Sequence, residues 1–172
     1  MRLNHPTPAV WAIVLLTAGF ASNLFLMCGS NLVAFAVVAA VTLGFRRGSL
    51  VALGIWLESQ VLGFMVFGYP HAPMTVAWGI ALGAGTVLAA AVGSVCATRG
   101  RVLAFAVAFA AYELGLAAFA LASGSGLSAF TPAIIGQLLI SNVALAAGAV
   151  VLYRLVAISE SDISNRFARV RG

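Results

Sequence analysis

The chain has 172 residues, 63% hydrophobic and 8% charged, with a mean hydropathy of +1.11. An ordinary soluble domain is roughly half apolar and a quarter charged, so too few polar side chains are present to cover a water-facing surface, and a water-soluble fold is excluded. The formal charge of +5 rests on nine arginines and no lysine; nucleic-acid binding would need a solvated domain to display them, and the composition leaves no room for one.

Apolar runs of ~20 residues cross the ~30 Å of a bilayer's hydrocarbon. Breaks at charges, Gly/Ser turns and prolines predict an all-α integral membrane protein, a compact bundle of six transmembrane helices near 8–28, 31–45, 49–69, 74–96, 102–122 and 127–153. Together they make a transmembrane domain over 1–158, followed by a polar, basic cytoplasmic tail over 159–172. The first run follows Arg2 as a signal peptide would. Its apolar stretch continues through Asn23 to Cys28, however, and Leu26-Met27-Cys28 lacks the small residue expected before a lipidated cysteine, so it reads as a retained helix.

The second run is short for a crossing, which leaves a re-entrant segment as the alternative. The arginines decide between them. Arg2, Arg46, Arg47, Arg99, Arg101, Arg154, Arg166, Arg169 and Arg171 fall at the N-terminus, the second and fourth loops and the C-terminal end, while the first, third and fifth loops carry none. Six crossings put all nine on one side, so the positive-inside rule predicts both termini in the cytoplasm. A multi-pass protein of a bacterial inner membrane is the expected setting, with the lipid bilayer as its first partner. Cys28 and Cys96 then lie at opposite faces and act as small packing residues rather than as a disulfide.

Glu58 and Glu113 are the acidic residues inside helices. A carboxylate at mid-bilayer costs at least ~2.5 kcal/mol on insertion scales, so it faces the bundle interior or an aqueous cavity. Both lie ~16–18 Å from the arginine-bearing ends of helices that run the same way. Two readings stand for each: a pocket for a cation, a proton or a hydrogen-bonding solute, or neutral carboxyls that hold helices together. Trp56 and Gln60 share a face of the third helix, and Glu58 points some ~200° from each. In the third loop, Tyr69-Pro70-His71-Ala72-Pro73 presents an aromatic ring and an imidazole at the surface, as a lid over a cavity or as an interfacial anchor. Gln137, Ser141 and Asn142 place amides and a hydroxyl about one turn apart in the sixth helix, either for a ligand or to bridge helices, and Asn23 is expected to bridge helices. Neither a nucleotide-binding loop nor a nucleophile-base set appears in the sequence, so enzymatic activity, a cofactor and self-contained use of ATP are not expected.

In size, topology, short loops and the glycine-rich stretch from Thr42-Leu43-Gly44 through Arg46-Arg47-Gly48 to Gly54, the chain resembles the six-helix substrate-binding (S) components of energy-coupling factor vitamin transporters. The resemblance implies a membrane subunit that binds a vitamin or vitamin precursor near the external face and docks on an ATP-driven energising module. It further implies a pocket drawn from Tyr112, Glu113, Gln137 and Asn142, closed by Tyr69 and His71. Where members of that family carry an Ala-x-x-x-Ala face on the first helix, this chain has Ala18 and Ser22. The chain also resembles the six-helix cell-shape protein of the rod complex, which would make it a cell-envelope scaffold. A metal-cation permease using the two glutamates is the third alternative.

Overall fold

The computed structural model describes residues 5–26 and 31–170, and all regular structure among them is helical. The helices are α1 (Pro8–Leu26), α2 (Leu32–Leu43), α3 (Phe45–Met65), α4 (Pro73–Cys96), α5 (Arg101–Ala122) and α6 (Pro132–Val170), with a single 3₁₀ turn at Ala97–Arg99. Five of them, all but α2, are long and apolar enough to cross a membrane. Cys28, Arg2 and Arg171 lie outside the described residues.

Several boundaries differ from the sequence expectation of six spans, and α2, at 12 residues, is too short for the crossing expected over 31–45. Arg46-Arg47-Gly48 belongs to the first turn of α3 and not to a loop, because Gly44 alone turns the chain, with φ at +80° where a side chain would be strained. The sixth helix starts at Pro132 and not near 127. Pro at the first helical position is pre-organised for the helix, and Thr131 supplies the start, its carbonyl accepting from Ile135 N (3.0 Å) and its hydroxyl from Ile134 N (3.4 Å). At its other end α6 runs on through the polar residues that follow Ser159, so its 39 residues reach ~58 Å, about twice the hydrocarbon thickness.

The shortest helix organises the rest. α2 has no polar face, and a helix apolar all round has no side to give to water or to a membrane boundary. Leu32 through Ala40 are all buried, and α2 packs against each of the other five helices. Around it α6, α1, α3, α4 and α5 follow in that order, each packed on the next. Small residues permit the close contacts: Gly48 of α3 lies directly on the backbone of Ala39 and Ala40, and Gly93 of α4 lies on Val37.

The start of α1 and the later part of α6 share one end of the bundle. Trp11, fully buried, donates from Nε1 to the Thr42 hydroxyl (2.8 Å), and its ring meets Tyr153 edge-on at 5.0 Å. The Tyr153 hydroxyl pairs with His5 Nδ1 at 2.8 Å. About two turns further along α6, Glu160 accepts from both the backbone N (2.7 Å) and the hydroxyl (2.9 Å) of Thr7, the residue just before α1. A carboxylate there complements the positive end of the α1 dipole. Arg46, Arg47, Arg99, Arg101 and Arg154 lie at this same end, all exposed.

Candidate functional site

Helix rise sets the depth of α2. Tyr153 marks the arginine end, and Asn142 lies 11 residues back along α6, ~16 Å into the bundle. There the Asn142 amide oxygen accepts from the backbone N–H of Ala34 (2.9 Å), in the first turn of α2, while its Nδ2 donates to Leu138 O (2.9 Å). α2 therefore begins at mid-depth. Its ~18 Å occupy the arginine half of the bundle, and α3, α4, α5 and α6 extend well past its start.

Polar side chains gather at that level. Asn31, 1% exposed, donates from Nδ2 to the Ser22 hydroxyl and to Asn23 Oδ1 (3.0 Å). Asn23 in turn donates to the Ile55 carbonyl of α3 (3.2 Å), which is the helix bridge expected of it. Ser22 donates to Gly19 O within α1 (2.9 Å). Among the described residues, Asn31 Oδ1, Glu58 Oε2 and Tyr112 Oη are buried oxygens without a hydrogen-bond partner, as is Ser49 Oγ nearer the arginine end. An unpaired buried oxygen costs about 1–3 kcal/mol, so three of them in one layer are unusual for packing alone.

Phase decides where the two membrane carboxyls point. Gly54 and Ile55 touch Leu16 and Gly19 of α1, and at 100° per residue the direction of Glu58 falls between theirs. Trp56 and Gln60 turn instead to α4: Trp56 Nε1 donates to Gly79 O (2.8 Å), and the two side chains cover Gly83 and Gly79. Glu58 is thus apart from both, on the α1 side. On α5, Tyr112 lies over Gly85 of α4 and Phe119 over Trp78, the rings of the second pair 4.9 Å apart. Glu113, 9% exposed, points 100° or more away from those contacts, along the same stripe as buried Phe109 and Ala120. Glu58 and Glu113 share a depth but stand on helices separated by α2 and α4.

The remaining expected residues lie elsewhere. Tyr69 folds back on α3, its N–H donating to Gly63 O (3.0 Å) and its ring covering Gly63. Phe64 stacks near both Tyr69 (6.3 Å) and His71 (5.3 Å), so the third loop is an aromatic cluster on the far end of α3. Gln137 is exposed and points some ~140° from Asn142, so those two do not share a surface. Among the described residues no three of His, Cys, Asp and Glu gather as a metal-ligand group. Asn31 and Ser22 were not expected at the site. Asn31 precedes an unbroken apolar run and reads on sequence as the start of a helix, and only the depth of that start gives it importance.

Comparison with protein families, characterised proteins and solved structures finds no match to this chain.

Proposed function

We propose that the chain is the solute-binding membrane subunit of an uptake system in a bacterial inner membrane, with both termini in the cytoplasm and a small solute of the vitamin type entering from the external side. One observation carries this reading: α2 starts at mid-depth, so polar groups with unused hydrogen-bonding capacity gather at that level, flanked by helices that run on past it, with Asn31 and Tyr112 buried and Glu58 half-buried. A solute entering from the far end reaches Asn31, Asn23 and Glu58 on one side and Tyr112 and Glu113 on the other. The aromatic cluster of Phe64, Tyr69 and His71 stands at that entrance. The gathering of arginines at the opposite end supports its cytoplasmic placement. The resemblance to S components of energy-coupling factor transporters supports the solute class and an ATP-driven partner.

A scaffold role in a cell-envelope complex is favoured by a different observation, the projection of α6 well beyond the thickness of a bilayer. Transport of a panel of isotope-labelled vitamins into cells expressing the chain separates the two. Uptake of one compound, reduced by Glu58→Gln or Glu113→Gln at equal protein levels, supports the solute reading. Uptake of none, with altered cell shape on deletion, favours the scaffold.

A further inference from the structure

We infer that Ser22, Asn23, Asn31 and Glu58 form a binding site for a monovalent cationic group, either an inorganic ion such as Na⁺ or the ammonium end of a solute. The site follows from the register of α1 against α3. Leu16 meets Gly54 and Gly19 meets Ile55. The next residue of α1 on that face is Asn23, and the next of α3 is Glu58. Asn23 already reaches Ile55 O (3.2 Å), one turn before Glu58, and a helical side chain leans back over the preceding turn, which brings the Glu58 carboxyl toward the asparagine pair. Asn31 and Glu58 each leave one buried oxygen without a donor.

Oxygen-only coordination, with one carboxylate, suits a hard cation of single charge. A divalent ion would leave one charge uncompensated in a low-dielectric interior. The chain cannot supply the charge itself. It has no lysine, its arginines flank the spans, His5 pairs with Tyr153 at the arginine end, and His71 sits in the α3–α4 connection. The positive end of the α2 dipole, worth about half a charge, acts against a cation here. Ala34 N–H already gives its bond to Asn142, and the full charge of Glu58 outweighs the remainder. The inference concerns the packing of three helices and stands whether or not the chain transports a vitamin.

The test is thermal unfolding of the purified full chain in nanodiscs, with N-methylglucamine chloride replaced at constant ionic strength by NaCl, KCl or methylammonium chloride. A saturable rise in melting temperature is expected with at least one of the three. A response to Na⁺ or K⁺ assigns the site to an inorganic ion, and a response to methylammonium alone assigns it to a solute's ammonium group. Glu58→Gln should weaken the apparent affinity at least tenfold, while Gly136→Ala leaves it unchanged. Should Glu58→Gln fail to fold, Asn31→Asp adds a second carboxylate and should tighten binding severalfold. The proposal is overturned if no cation shifts the wild-type melt, or if the shift is unaltered in these variants.

Discussion

Gly48→Ala probes the contact on which the central position of α2 depends. A Cβ on Gly48 would lie 2.6 Å from the Ala39 carbonyl carbon and nearer still to Ala40. Carbon atoms in contact normally keep ~3.5–4.0 Å, so α2 and α3 would have to part by ~1 Å. The obstructing atoms are backbone and cannot rotate away, and α2 is held by four other helices, which places the cost near the upper end of the ~1–3 kcal/mol typical of overpacking. Alanine recovers ~1 kcal/mol of helix propensity over glycine, leaving a net loss of about 2 kcal/mol, some thirtyfold in the unfolding equilibrium. The control is Gly136→Ala on α6, where nothing lies within 4 Å of the added carbon and propensity alone acts. Reversible unfolding in mixed micelles, followed by circular dichroism, should show the two substitutions moving stability in opposite directions. Equal stability of Gly48→Ala and the wild type would refute the packing of α2 on α3.

Asn142→Ala leaves Ala34 N–H unsatisfied inside the membrane and should cost about 1–3 kcal/mol in the same assay. Trp11→Phe keeps an aromatic ring beside Tyr153 but removes the bond to Thr42, so a loss of ~1 kcal/mol is expected; none would place the indole N–H elsewhere. Cysteines at positions 7 and 160, in a chain with Cys28 and Cys96 replaced by serine, should cross-link under mild oxidation in native membranes. Failure to do so would detach the α6 extension from the start of α1.

The sequence discloses the helices better than their arrangement. Charges, prolines and Gly/Ser turns mark where apolar runs stop, and those breaks locate all six helices. The same signals mislead at Arg46-Arg47-Gly48, since charged residues at a membrane boundary fit a first helical turn as well as a loop, and only the positive φ of Gly44 distinguishes them. At the start of α6 the Thr131-Pro132 pair was a legible signal, whereas the apolar residues before it resemble a continuing span. The central position of α2 was not legible, because a segment without polar residues carries no phase from which a buried face can be read. The candidate site divides in the same way. Glu58 and Glu113 announce themselves by the cost of a carboxyl in lipid, and the 200° between Glu58 and Trp56 follows from helix geometry alone. The roles of Ser22 and Asn31 depend on where α2 begins, which is a property of packing and not of composition. Spacing of about one turn suggested that Gln137 and Asn142 cooperate, yet five residues turn a side chain ~140° away.

Native mass spectrometry of the chain released gently from its own membranes addresses the central claim most directly. One small solute per polypeptide is expected on the wild type, with its occupancy sharply reduced in Glu58→Gln and Glu113→Gln. A chain that emerges bare, and that stays bare after incubation with a panel of vitamins and their precursors in the presence of Na⁺, would contradict the reading of the mid-depth polar layer as a solute site.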